Sequence, residues 1–426
     1  MNISQELQET LREGVLENID VNKVESLVQD RTLLLGEMNR ILERVISSKN
    51  IYLDHQAQLY MAELMADEIV GLGPLRALLE DDDISDILVN GPNQIYIERK
   101  GKLELAPTRF INNQQLTDIA KRLVQKVGRR LDEGRPLVDA RLMDGSRLNV
   151  AIQPIALDGT SISIRKFSKG NIELADLIRF DAMSSQMANF MIIATRCRAN
   201  IIISGGTGSG KTTLLNALSK YIDPSERIIT MEDAAELRLM QPHVLRMETR
   251  LAGLENTGQV NMRALLVNSL RMRPDRIIVG ECRGEETFEM LQAMNTGHDG
   301  SMSTLHANTP RDAISRLENM VMMAGMNIPM ESIRRNIVSA INLVIQVSRL
   351  NDGSRKIMNI SEVMGIEGDR VILQDIFSYT PHHERRADGK ISGDFVNHGL
   401  LMRSAVMRNA TMFDLSAELK QIFGLE

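Results

Sequence analysis

Hydrophobic positions along this chain of 426 residues change their spacing twice. Over residues 1–70 they recur at helical intervals: Leu7, Leu11 and Val15 start one face, and Val24, Leu27 and Val28 start another. Residues 33–46 continue that pattern. Residues 52–70 read as a further helix, closed by Gly71-Leu72-Gly73-Pro74. The region 1–73 is therefore a small helical bundle or arm, open to two readings, a solubilising appendage or a partner-docking module. From Leu75 the pattern shortens to strands at 84–90, 94–99 and 102–107, split by Gly91-Pro92-Asn93 and Lys100-Gly101. An amphipathic helix at 114–127 follows, then strands at 138–142, 147–152 and 161–167, with turns at Asp144-Gly145 and Asp158-Gly159. These elements predict an α+β domain over residues 74–170. It leaves through the linker Ser168-Lys169-Gly170-Asn171.

From Ile172 apolar runs alternate with helical patterns. Residues 189–195 close a helix. Strands are expected at 201–203, 227–231, 244–247, 276–279 and 301–305, with helices at 262–271, 285–294 and 311–323. Residues 343–347 and 371–373 extend the sheet or form a terminal hairpin, and 413–423 reads as a last amphipathic helix. Such alternation predicts an α/β domain over 171–426, its largely parallel sheet covered by helices on both faces.

Composition narrows the class. The chain is 43% hydrophobic and 25% charged, as globular proteins are. Aromatics make up 3%, Trp is absent and there are 26 methionines, so the core leans on Leu, Ile, Val and Met. A net charge of −6 and few aromatics argue against a nucleic-acid binder. Two cysteines, Cys197 and Cys282, make no disulfide framework. The polar, acidic start MNISQELQET is unlike a signal peptide, and no apolar run reaches about 18 residues, so a cytoplasmic location is expected.

The chemistry sits at 201–213, IIISGGTGSGKTT. Three β-branched residues form a buried strand, a glycine-rich turn follows, and a helix opens at Lys211. The loop Gly205, Gly206, Thr207, Gly208, Ser209, Gly210, Lys211, Thr212, with Thr213 next, fits the P-loop pattern in its strand–loop–helix setting. Glycines let backbone N–H groups curl around phosphate oxygens at the positive end of a helix. Lys211 is expected on the β- and γ-phosphates of ATP, and the Thr212 hydroxyl on Mg²⁺.

Hydrolysis also needs a carboxylate and a means of placing water. Three clusters follow, each at the end of an expected strand. Glu232-Asp233, with Glu236 nearby, are expected to face Mg²⁺ or the attacking water. The run 276–281, RIIVGE, is the apolar strand of a Walker B element, with Gly280 at the usual aspartate position and Glu281 next. Glu281 there can hold the Mg²⁺ water shell or polarise the nucleophilic water. Arg283 can pair with Glu281, Glu285 or Glu286. The third cluster, Gly297-His298-Asp299-Gly300 and then 303–308, offers His306 as a γ-phosphate sensor and His298 as a structural or coupling residue. A zinc site competes weakly, because Cys282 has no partner at ligand spacing. Candidate arginines for the phosphates are Arg147 and Arg165 in the α+β domain, and Arg263, Arg271 and Arg273 in the P-loop domain.

Taken in order, residues 205–212, the acidic box at 232–236, the Gly-Glu Walker B at 277–281 and the box at 297–307 resemble the type II/type IV secretion superfamily ATPases. The stretches 85–91 (SDILVNG), 138–142 (VDARL) and 294–308 are most similar to the tight-adherence (Flp) pilus branch, close to the type IV secretion ring ATPases. The likeness runs from about residue 71 to at least 317. A four-cysteine zinc element, common in type II secretion and pilus-extension ATPases, is missing, which favours that branch. The resemblance implies a RecA-like motor domain hinged to the α+β domain, with ATP between them and Arg147 and Arg165 reaching its phosphates. It implies a homo-hexamer that docks on inner-membrane platform proteins at the cytoplasmic face and drives pilus assembly or secretion. Two other readings stay open: a nucleic-acid-stimulated RecA-like motor and a non-catalytic nucleotide-binding scaffold.

Overall fold

The computed structural model describes residues 3–27, 30–99, 101–167, 172–250, 258–325, 327–385 and 389–425. The expected linker 168–171 lies outside the described residues. Two compact units emerge, Met1–Lys169 and Gly170–Glu426. No helix among the described residues is long and apolar enough to cross a membrane.

The first unit opens with helices Gln5–Glu17, Val21–Leu27, Arg31–Ser48 and His55–Val70. The last begins three residues later than its apolar pattern, because the Asp54 side chain caps it by accepting from the Ala57 N–H at 2.7 Å. It ends at Gly71, whose φ of 87° closes the final turn. Leu11, Val15, Leu34, Met38, Leu42, Met61 and Met65 form the shared core of these helices.

Six antiparallel strands follow: β1 (Ile84–Asn90), β2 (Ile95–Arg99), β3 (Lys102–Leu105), β4 (Leu137–Arg141), β5 (Arg147–Ala151) and β6 (Ser161–Arg165). Their order in the sheet is β3-β2-β1-β6-β5-β4. Helix Asn113–Lys126 shares a core with the sheet: Leu116, Ile119 and Leu123 cluster with Ile87, Val89, Leu148 and Ile162. Bundle and sheet are tied by a buried charge. Glu68 accepts from Arg12 Nη2 at 2.7 Å and from Gln115 Nε2 at 2.6 Å. Arg12 compensates the charge of this buried carboxylate and Gln115 adds a neutral donor; without Arg12 the charge would be buried and unpaired.

The second unit is built on nine strands: β7 (Ile201–Gly205), β8 (Ile228–Glu232), β9 (Val244–Glu248), β10 (Arg276–Val279), β11 (Met302–Leu305), β12 (Leu343–Arg349), β13 (Arg355–Glu367), β14 (Arg370–Arg385) and β15 (Ile391–Asn397). The order is β15-β14-β13-β12-β7-β11-β10-β8-β9. From β12 to β9 neighbouring strands are parallel; from β12 to β15 they are antiparallel. Apolar residues on successive positions serve opposite faces. Ile201 and Ile203 enter one core with helices Ser185–Arg196 and Lys211–Ser219, while Ile202 enters the other with helices Glu286–Asn295 and Pro310–Met323.

The C-terminal part departs from its sequence pattern. Strands β13 and β14 are long and paired as a meander, where only 371–373 carried a strand signal. Mixed polar and apolar residues in β13 find their places only through pairing with β12 and β14. The expected helix 413–423 starts later, as Ser416–Phe423, after Asp414 at φ 55°, and a separate helix, Ala405–Met412, precedes it without having been expected. Helix Met330–Ala340 carried no expectation either.

At the amino ends of the parallel strands lies a buried ion pair. Arg276, fully buried, donates from Nε to Glu226 at 2.5 Å and from Nη2 at 2.9 Å, and from Nη1 to the Gly300 carbonyl at 3.3 Å. Gly300 leaves the space: a β-carbon there would lie 2.6 Å from Arg276 Nη1. Asn200 closes the same end, accepting from the Gly300 N–H at 2.8 Å and donating to the Ala340 carbonyl at 2.7 Å. The prediction is direct. Glu226→Ala strands a buried guanidinium and should lower unfolding stability by about 3–5 kcal/mol in denaturant titration. A loss under about 1 kcal/mol would contradict the pair's role.

Candidate nucleotide site

The P-loop leaves β7 at Gly205. A β-carbon on Gly205 would lie 2.3 Å from the Val347 carbonyl oxygen and 2.6 Å from Ser209 Oγ, so only glycine lets the loop leave the sheet this close to β12. Gly208 and Gly210 have φ of 68° and 99°, the left-handed region that favours glycine. Ser209 Oγ donates to the Gly206 carbonyl at 2.9 Å and fixes the turn. Helix Lys211–Ser219 then starts with no side-chain cap, which leaves its first N–H groups available to an anion. Lys211 is buried, and its Nζ donates to the carbonyls of Gly205 and Gly206, both at 3.0 Å. Burial holds its pKa below the usual lysine value, with the charge of Glu281 opposing. A phosphate would relieve that desolvation. Thr207 is exposed in the loop, and Thr212 and Thr213 are half-buried in the first helical turn.

Glu281 and His306 lie just past the carboxyl ends of β10 and β11; β11 is the neighbour of β7 and β10 the strand beyond it. Glu281 Oε1 is 2.9 Å from His306 Nε2, a close contact without hydrogen-bond alignment. Its Oε2 accepts from Arg283 Nη2 at 2.6 Å, and Arg283 Nη1 stands 3.5 Å from Asp233. Burial lowers the His306 pKa, and Lys211 and Arg283 add to that while Glu281 opposes it, so the imidazole is neutral at pH 7. Lys211, Glu281, His306 and Arg283 thus form one electrostatic group.

Glu232, the last residue of β8, sits beside the Walker B element. A β-carbon at Gly280 would lie 2.7 Å from Glu232 Cγ. Glycine at the usual aspartate position therefore makes room for this carboxylate. Glu232 accepts from the N–H groups of Glu236 at 2.9 Å and Leu237 at 3.0 Å, which fastens the turn after β8. Thr304 Oγ1 donates to the Gly280 carbonyl at 2.7 Å and ties the carboxyl ends of β10 and β11 together.

The residues fit ATP and Mg²⁺ in a specific way. Among the described residues no group of three or more His, Cys, Asp or Glu is arranged to hold a metal ion. A hard cation bound through phosphate oxygens, water and one hydroxyl needs no such cage, and Thr212, half-buried in the first helical turn, would supply the hydroxyl. Cys282 is buried against Ser303 Oγ at 3.2 Å, and burial pushes its thiol up to about 12, which suits packing and not zinc.

The expected arginines divide between the units. In the first unit, strand register aligns Asp86, Arg165, Arg147 and Arg141 in one row across β1, β6, β5 and β4. Arg165 Nε donates to Asp86 at 3.1 Å. Arg141, absent from the sequence candidates, lies over the Phe167 ring at 5.9 Å. Its signal was available: Arg141 and Arg147 flank the Asp144-Gly145 turn symmetrically, so a hairpin must pair them. In the second unit Arg263 is taken up by Glu285 and Glu289, while Arg271 and Arg273 are exposed. His298 lies at the amino end of β11, its Nδ1 3.3 Å from the Ala293 carbonyl, away from the loop. Also missed were Arg349 and Arg355, which reach the P-loop from β12 and β13.

Burial moves the Glu232 pKa from 4.5 up to about 7. The folded chain then holds a proton that the unfolded chain has released. Stability from this group therefore falls as pH rises from 4.5 to about 7, by about 3 kcal/mol at most. Glu232→Gln keeps an acceptor for both N–H groups and removes the titration. The wild-type minus variant difference in unfolding free energy should decline between pH 5 and 7.5; a constant difference would refute the assignment.

The family model for type II/IV secretion system proteins matches residues 68–412. A Mycobacterium tuberculosis protein assigned to conjugal transfer is 34% identical over 311 residues, covering 72% of this chain and 88% of its own. The type IV secretion system protein VirB11 of Bartonella henselae is 30% identical over 337 residues, covering 70% of this chain and 93% of its own. The crystal structure of the VirB11 ATPase from Brucella suis, in complex with sulphate, aligns at 26% identity and a TM-score of 0.37, covering 69% of this chain and 97% of that one. The chain belongs to the type II/IV secretion system proteins, the secretion-superfamily ATPases.

Proposed function

We propose that this chain is a Mg²⁺-dependent ATPase that turns ATP hydrolysis into domain motion for pilus assembly or secretion. The observation that carries the reading is the convergence of Lys211, Glu281 and His306 at the carboxyl ends of three adjacent strands, where open α/β sheets bind ligands.

Each residue has a task set by its surroundings. The loop 205–211 and the helix N-terminus bind the β- and γ-phosphates, and Lys211 exchanges two carbonyls for phosphate oxygens. Bound Mg²⁺ neutralises charge on the phosphate chain, with Thr212 as its protein ligand. Glu281, held by Arg283 and next to a neutral His306, orients the attacking water and takes its proton as the water oxygen bonds to the γ-phosphorus and the bond from that phosphorus to the bridging oxygen breaks, so that ADP leaves with the electron pair. His306 senses the γ-phosphate. Glu232 supports the Mg²⁺ side of the site from β8.

Arg147 and Arg165 are the first unit's candidate cations for phosphate, a role that rests on the family resemblance. Nucleotide drives domain motion by its differential affinity for one arrangement over another, and loss of the γ-phosphate reverses the shift. The motor works as a homo-hexamer at the cytoplasmic face of the bacterial inner membrane, docked through platform proteins. Within the family, the likeness of the stretches 85–91, 138–142 and 294–308 supports the tight-adherence pilus branch. Membership of the family supports this reading, as does the run of arginines across one sheet.

Phosphate release with Mg·ATP tests the site. Lys211→Ala should abolish turnover. Glu281→Gln should retain bound ATP and slow hydrolysis by about 10²–10⁴-fold. Wild-type rates in both variants would refute the assignment.

A further inference from the structure

Strands β12 and β13 are joined by a tight hairpin whose two flanking arginines, Arg349 and Arg355, are register partners. Both are exposed, and both stand over the P-loop. Arg355 Nε donates to the Gly208 carbonyl at 2.9 Å, and its Cδ lies 3.4 Å from where a β-carbon on Gly210 would be. Arg349 Nη1 lies 3.8 Å from the corresponding point on Gly208. The hydrogen bond orients the loop. In a trans peptide the carbonyl and the next N–H point in opposite directions, so holding the Gly208 oxygen outward turns the Ser209 N–H inward. That N–H indeed faces the inside of the loop, 3.4 Å from the Gly206 oxygen.

The hairpin is braced as a fixed part of the site. Asp352 accepts from the Ser354 N–H at 2.9 Å, the Ser354 hydroxyl at 2.6 Å and the Ile391 N–H at 2.6 Å, which ties the turn to β15. At its root, Val347 packs its carbonyl against Gly205, and Gln346 Nε2 donates to the Ala307 carbonyl at 3.2 Å, next to His306. One strand thereby touches both the phosphate loop and Ala307, the residue after the expected γ-phosphate sensor.

We propose that the β12–β13 hairpin is a polyphosphate clamp acting within the same subunit: Arg355 positions the P-loop, and Arg349 supplies a second cation to the nucleotide's phosphate chain. This rests on the reading of 205–212 as a nucleotide cradle. The pair governs nucleotide retention and leaves the chemical step to Glu281. Its ligand class is any nucleoside polyphosphate or bare polyphosphate that fits the loop, because neither arginine is assigned to base or sugar.

The test uses the full chain with Arg349→Ala, Arg355→Ala, Arg355→Lys and, as a control, Lys211→Ala. Binding of a fluorescent ATP analogue, its displacement by inorganic tripolyphosphate, and steady-state kcat and KM are measured, with Tm for each variant. Arg355→Ala should raise KM and the Kd for both ligands about tenfold or more, while kcat changes by less than about threefold. Arg355→Lys should recover part of the loss, and Arg349→Ala should weaken tripolyphosphate and ATP alike. Wild-type affinities in the arginine variants, beside lost binding in Lys211→Ala, would overturn the clamp and keep the cradle. Loss of binding that follows a fall in Tm and is not recovered by Arg355→Lys would make the hairpin purely structural and overturn it too. No binding to wild-type protein would overturn the cradle itself.

Discussion

At the active end of the sheet Gly205 lies so near the Val347 carbonyl that a β-carbon would be only 2.3 Å from its oxygen. Because that contact admits no side chain, the chain can turn out of β7 at once and put its N–H groups where a helix dipole also points. Two other glycines work the same way with different partners. Gly280 yields its volume to the Glu232 carboxylate, and Gly300 yields its volume to the Arg276 guanidinium. Each replaces a potential side chain with a polar group from a neighbouring strand, so the positions of these groups are set by packing across the sheet.

The two ends of the strands divide the labour. At the carboxyl ends stand Lys211, Glu281 and His306, with perturbed lysine and histidine and a carboxylate held by Arg283. At the amino ends stand Arg276, Glu226, Asn200 and the turn 297–300, a closed set of charges and hydrogen bonds. The two histidines of one motif therefore separate by role. His306 joins the chemical end, while His298 caps a turn at the structural end. Strand β11, between the P-loop strand and the Walker B strand, connects the two ends.

Local patterns made the P-loop, the α/β alternation and the carboxyl-end placement of Glu281 and His306 legible. Buried parallel strands are short apolar runs, and the loop's glycines and lysine are contiguous. What stayed hidden depends on contacts distant in sequence. Nothing near Gly280 announces that Glu232 needs its space. The long β13 and β14 carry mixed residues whose register comes only from their neighbours. The late start of the last helix, at Ser416, follows one left-handed residue, Asp414. Arg141, Arg349 and Arg355 were missed although each flanks an Asp-Gly turn symmetrically with another arginine, a pattern visible in the sequence but meaningful only once the hairpin is paired.

The most direct measurement is a structure of the full chain with Mg²⁺ and a non-hydrolysable ATP analogue. The account predicts the triphosphate inside the loop 206–211, with Lys211 Nζ moved from the carbonyls of Gly205 and Gly206 onto phosphate oxygens. A nucleotide bound elsewhere, with Lys211 still on those two carbonyls, would contradict it.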